Sequence, residues 1–352
     1  MKKLNTRSLV VCAIIVALCL VLGSLSYGII QMFAEDKNMK HEFDEYEVTF
    51  SADARYPISG TLTVPRTERP PAAVVLVHGS GRVDRNETVG ANYPFKEIAE
   101  GLAERGIAVL RYDKRTYTYN MPVAESADIT VDAEATDDAE AAIRFLRGDG
   151  RVDGDGIYLL GHSLGAGLLS YIGKNEPVKG YIVMAGTLKT LWEVIIDQNL
   201  AALAENPEFD TPELREQLDA ETKKTANLAE MSDEDAKNTV LFGLPATYLR
   251  SLERINAPEL HLADDKPVIV LHGGRDRQAF PEYFEQWKAA LAAHPNAEFI
   301  LYPELNHLFG EYAGEPLPYL QLSGEYDART PIHAAVLNDV AGFIARGQES
   351  KI

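Results

Sequence analysis

Residues 157–171 read IYLLGHSLGAGLLSY. Ile157, Tyr158, Leu159 and Leu160 form a run too short for a helix and apolar at every position, the pattern of a strand covered on both faces. Gly161 and Gly165 then bracket Ser163, and the segment from Ala166 to Tyr171 can continue as a helix. Strand, sharp turn and helix, with a serine at the tip and a glycine two residues to either side, is the context that the G-x-S-x-G pattern needs. Side chains at the glycine positions would meet the adjoining strand and helix. The first amides of such a helix point at the same place as the hydroxyl. The bare five-residue pattern is weak, and its strand-to-helix setting is what makes it specific.

Similar apolar runs recur at 72–77, 107–112, 181–185, 268–271 and 298–302. Helical patterns separate them. Phe95, Ile98, Ala99 and Leu102 follow Pro94 and stop at Gly106; Ala135, Ala139, Ala142, Ile143 and Leu146 form a second set; Phe284, Trp287 and Leu291 follow Pro281; Val336, Leu337, Val340, Phe343 and Ile344 form the last. This alternation predicts an α/β fold, an open and mostly parallel sheet with helices on both faces. Ahead of it, Tyr46, Val48 and Phe50, then Ile58, Leu62 and Val64, alternate with polar residues and predict an antiparallel pair with one wet face. Between Ala185 and Pro267 the chain is too long for a loop. Leu188, Leu191, Trp192, Ile195, Ile196, Leu200 and Leu203 fall on one helical face there, so a helical cap insertion is expected over about residues 187–265.

The chain has 352 residues and a formal charge of −19, which disfavours a broad electrostatic grip on nucleic acid. The charge is unevenly spread, because residues 1–34 hold no carboxylate. Lys2, Lys3 and Arg7 precede an uncharged run from Ser8 to Ile30, long enough to cross about 30 Å of hydrocarbon. Cations before the run, with Glu35 and Asp36 after it, predict a signal anchor that leaves the remainder outside the cell membrane. A cleaved signal peptide is the alternative, with Ser24, Leu25 and Ser26 as its small-x-small site, and it would make the protein secreted. Residues 35–44 read as a spacer and 45–350 as the folded domain. Both cysteines, Cys12 and Cys19, fall inside the apolar segment, so the exported domain has no thiol and no Cys nucleophile or Cys metal site.

A serine hydroxyl becomes a nucleophile only beside a base, and the base needs an orienting carboxylate. In chain order the acid and then the histidine should follow the serine. Asp276 closes the segment HGGRD (272–276) just after the strand at 268–271, and His307 lies just after the strand at 298–302. Both fall at carboxyl ends of strands, where sites gather in open α/β sheets. Asp264 and Asp265 precede their strand and His333 opens the last helix, so they are weaker candidates. The segment HGSG (78–81), after the strand at 72–77, is placed to supply an oxyanion amide. That donor is assigned to Ser80, with Gly81 as the alternative, and the second donor to Leu164. His78 reads as a brace of this loop and His162 as packing in the elbow. Asp84, Arg85 and Glu87, with Asp113, Lys114 and Arg115, lie at the same sheet edge and read as an ion-pair network fixing two loops. Asp153, Gly154, Asp155 and Gly156 lack the remaining ligands of a calcium loop and read as a turn. Neither a metal nor a nucleotide cofactor is expected.

With these residues in place, the chain resembles the α/β-hydrolase superfamily over about residues 45–346. HGSGRVDRNE (78–87), RYDKR (111–115) and the His307 segment resemble a bacterial group of exported or anchored esterases described as serine aminopeptidase-like or dienelactone hydrolase-like. The resemblance implies Ser163, Asp276 and His307 as nucleophile, acid and base, and carboxylic ester hydrolysis as the activity; small or medium carboxylic esters are the expected substrates. Dienelactone hydrolases use a cysteine where this chain has Ser163, and many relatives have two glycines where it has Gly165 and Ala166. A serine peptidase or amidase could use the same triad. A binding protein on a hydrolase scaffold would be expected to lack one member of the machinery.

Overall fold

The computed structural model describes residues 42–349, so the membrane segment expected within residues 1–34 and most of the spacer lie outside the described residues. No described helix is long and apolar enough to cross a membrane. The eight strands of the main sheet are β1 (Phe43–Phe50), β2 (Ile58–Pro65), β3 (Ala73–Val77), β4 (Ala108–Tyr112), β5 (Ile157–His162), β6 (Tyr181–Met184), β7 (Val268–Gly273) and β8 (Ala297–Tyr302). They lie in the order β1-β2-β4-β3-β5-β6-β7-β8. β2 pairs antiparallel with β1 and β4, and every other pairing is parallel.

The helices that cover the sheet and build the insertion are α1 (Pro94–Ala103), α2 (Asp137–Arg147), α3 (Leu169–Asn175), α4 (Leu191–Glu205), α5 (Pro212–Thr225), α6 (Asp233–Asn238), α7 (Ala246–Glu253), α8 (Ala257–Leu262), α9 (Glu282–Ala290) and α10 (Ala334–Glu349). Successive strand residues face opposite sides of the sheet. Val74, Leu76, Val109, Leu160, Ile182 and Leu271 pack with α1 and α10. Val75, Val77, Leu110, Leu159, Val183 and Val270 pack with α2, α3 and α9 on the other side. Helices α4 to α8 all arise between β6 and β7. Thr190 starts α4 with a reciprocal capping box to Glu193, and Ser232 caps α6.

Two expectations change. The face of β1 and β2 expected to be wet is roofed by charged side chains: Thr61 and Thr63 are buried, donating to Glu47 at 2.8 Å and Glu45 at 3.2 Å, while Arg111 reaches Glu45 at 2.6 Å. Tyr46 is instead exposed, with the Arg151 guanidinium 4.5 Å above its ring. The apolar face of α4 also differs. Leu188 precedes the helix and Leu200 is exposed, so the buried stripe is Val194, Ile195, Ala202 and Leu203, with Asn199 among them. Asn199 is tolerated there because its amide donates to the Ile195 carbonyl at 2.7 Å.

Strand order reverses around β3, whose neighbours are β4 on one side and β5 on the other. An open α/β sheet forms its crevice at the carboxyl ends of the strands at such a switch point. Val77 at the end of β3 pairs with Gly161 at the end of β5, which sets the segment 78–81 beside Ser163.

Candidate active site

Ser163 sits at φ +54°, the left-handed region that a non-glycine residue adopts only at a cost. The two glycines permit it. A Cβ on Gly161 would stand 2.5 Å from the Gly165 backbone, and one on Gly165 would stand 2.3 Å from the Val77 carbonyl oxygen. The contacts are with backbone atoms, so no rotamer change could relieve them. Gly79 is similarly close, since a Cβ there would lie 3.3 Å from the Ser163 Cβ.

Asp276 and His307 are both buried. The Asp276 Oδ2 accepts from His307 Nδ1 at 2.7 Å, and its Oδ1 accepts from the amides of Gln278 and Ala279, each at 2.8 Å. Burial alone would raise the Asp276 carboxyl, but His307 and these amides hold it below the ordinary carboxylate range. The His307 imidazole is pushed below its ordinary value, chiefly by burial, against the opposing pull of Asp276. Its loop is stapled by Asn306, whose Oδ1 accepts from Leu308 N at 3.1 Å and Gly310 N at 3.2 Å. His307 Nε2 is buried without a hydrogen-bond partner among the described residues, so the ring nitrogen opposite the carboxylate is available to a proton.

His162 does more than pack the elbow. Its ring lies 4.7 Å from that of His307, and its Nε2 donates to the His307 carbonyl oxygen at 2.9 Å. Its Nδ1 stands 3.0 Å from Oε2 of the buried Glu87, an ion-pair distance without the alignment of a hydrogen bond. Burial would lower the His162 ring, yet the Glu87 charge carries it above its ordinary value. The elbow and the loop carrying His307 are thereby tied together through one buried imidazole. His78 braces its own loop through the Asp84 carbonyl at 3.2 Å, and burial pushes it down to about 4.

Ser80, Ser163 and Leu164 line a cavity of about 310 Å³, walled by Leu188, Val194, Ile195, Leu252 and Ile255 from the insertion. Trp192 and Tyr248 are not among its lining residues. Trp192 Nε1 donates to Glu253 and the Tyr248 hydroxyl donates to Glu134. The rival carboxylate Asp264 accepts from the Tyr181 hydroxyl at 2.9 Å and pairs with Lys266, and the exposed His333 donates its backbone amide to Phe309 at 2.9 Å. Arg85 pairs with Asp113 and Glu47, each at 2.7 Å, and Arg115 with Asp138 at 2.6 Å, so these cations fix loops. Residues 153–156 form a turn closed by Gly156 N donating to Asp153 O at 2.9 Å. Among the described residues no group of three or more His, Cys, Asp or Glu is arranged to hold a metal ion.

Residues 74–316 match the model of the alpha/beta hydrolase family. The chain is 32% identical over 310 residues to esterase EstD of Thermotoga maritima, an alignment covering 86% of this chain and 68% of that one. Among solved structures it resembles a Pyrococcus furiosus esterase (TM-score 0.54, 16% identity, 90% of this chain and 96% of that one). It also resembles Est1E of Butyrivibrio proteoclasticus (TM-score 0.52, 16% identity, 86% and 99%). At such identities the solved structures speak to the fold alone.

Proposed function

The chain belongs to the α/β-hydrolase family, and from that premise we propose that it hydrolyses carboxylic esters through an acyl-enzyme on Ser163. The observation that carries this reading is the strained Ser163 on the wall of a cavity, with the buried Asp276–His307 pair tied to its elbow through His162. The Ser163 oxygen attacks the ester carbonyl carbon as its proton passes to His307 Nε2. Asp276 fixes the ring and stabilises the imidazolium. The amides of Ser80 and Leu164 receive the oxyanion. Collapse expels the alcohol, which takes the proton from His307. Water, deprotonated by the same ring, then releases the acid and restores Ser163.

The esterase activity named for EstD supports an ester as substrate, and the cavity volume suits small or medium acyl groups. The membrane tether is proposed from the apolar run 8–30 alone. Both readings are tested on the full chain and on residues 42–352, assayed against p-nitrophenyl esters of graded acyl length beside aminoacyl p-nitroanilides. Turnover is expected on the esters with an optimum at short or medium acyl length, with only the full chain in the membrane fraction. Faster turnover of the anilides would assign a peptidase instead, and a full chain in the soluble fraction would remove the tether.

A further inference from the structure

Gly79 is held from both sides by buried charges that the hydrolytic steps do not use. Its N–H donates to Glu87 Oε1 at 2.7 Å, so this amide is committed and is no oxyanion donor. Its carbonyl accepts from Lys114 Nζ at 2.9 Å. Lys114 is 2% exposed and is itself paired with the buried Glu134 at 2.6 Å. The other Glu134 oxygen accepts from Tyr248 on α7, inside the insertion.

A peptide unit is planar and trans, so its C=O and N–H point in opposite directions. Fixing the Gly79 carbonyl on Lys114 therefore fixes the Ser80 N–H, which belongs to the same plane, on the side away from the lysine. Ser80 lines the cavity with Ser163. We propose that Lys114 is a positioning residue for hydrolysis: it locks the Gly79–Ser80 peptide so that the Ser80 amide meets the oxyanion, and Glu134 with Tyr248 couples this lock to the insertion. Hydrogen bonding to a cation also polarises that peptide and makes the Ser80 N–H a better donor. The inference rests on the Ser163 reading above.

Removing Lys114 alone would strand a buried carboxylate and could unfold the chain. The test therefore uses two variants that remove the whole pair, Lys114→Met/Glu134→Gln and Lys114→Met/Glu134→Met/Tyr248→Phe. The control, Arg115→Met/Asp138→Asn, removes an equally buried pair that does not touch Gly79. Active sites are counted by end-point fluorophosphonate labelling, so that loss of folded protein is not read as loss of rate. Per labelled site, kcat/KM of the Lys114 variants should fall on the order of 100-fold, the effect of losing one oxyanion donor. The inhibition constant of a trifluoromethyl ketone, whose adduct carries the same oxyanion, should rise by a similar factor, while the control stays within about threefold of the parent. A folded Lys114 variant within threefold of the parent on both measures overturns the proposal, as does failure of both Lys114 variants to fold. Failure of the Ser163 reading would appear elsewhere, as a parent enzyme that takes no label on Ser163.

Discussion

In the proposed mechanism His307 has two jobs that pull its proton affinity in opposite directions. As a base it must be neutral when the ester arrives, and burial secures that by disfavouring the cation. As the partner of Asp276 it must hold a proton once Ser163 has given one up. Because burial outweighs the carboxylate in the resting enzyme, kcat/KM should remain high below the ordinary histidine value of about 6.5 and fall only at more acidic pH. A kcat/KM profile with its acidic midpoint above pH 7 would contradict this. The catalytic candidates were legible because each requires a residue type at a fixed place relative to a strand end. Glu87 and Lys114 were visible only as charges at the right edge. That both are buried, and that both close on Gly79, depends on contacts across the sheet that no local pattern encodes.

Helices and strands were legible where one physical cause dominated. Pro94 opens α1, Gly106 at φ +83° ends its turn, and the doubly covered strands are continuous apolar runs. The insertion is harder to read because its helices pack partly on one another and partly on the sheet, which blurs a single apolar stripe. His261 on α8 shows what such packing does to a titratable group. The ring is fully buried, edge-on to Tyr181 at 5.0 Å, and neither nitrogen has a partner among the described residues. Burial pushes it down to about 4. The folded ring stays neutral while the unfolded chain takes a proton below about pH 6.5, so stability present above that pH is lost as pH falls through about 4. The loss is about 3 kcal/mol for this one ring. His261→Phe forfeits no hydrogen bond and should stay near parental stability at pH 7 with a shallower acid decline. Urea unfolding at pH 7 and 4.5 measures both, and an unchanged decline in the variant would place the acid sensitivity elsewhere.

At the scale of the whole molecule, the strand reversal at β3 gathers the site. The segment 78–81 leaves β3, the elbow leaves β5, and the loops after β7 and β8 bring Asp276 and His307 to the same edge. The insertion between β6 and β7 supplies a wall of the cavity and, through Tyr248, a contact with the carboxylate that holds Lys114. The proposed function makes one chemical claim above the others, that the Ser163 oxygen attacks the ester carbonyl carbon. The most direct measurement is peptide mass spectrometry after treatment with a fluorophosphonate, with ester hydrolysis followed in parallel. A single adduct on Ser163 is expected, with hydrolysis lost in proportion to labelling and neither label nor turnover in a folded Ser163→Ala variant. Hydrolysis that persists with Ser163 fully labelled, or in the Ser163→Ala variant, would contradict it.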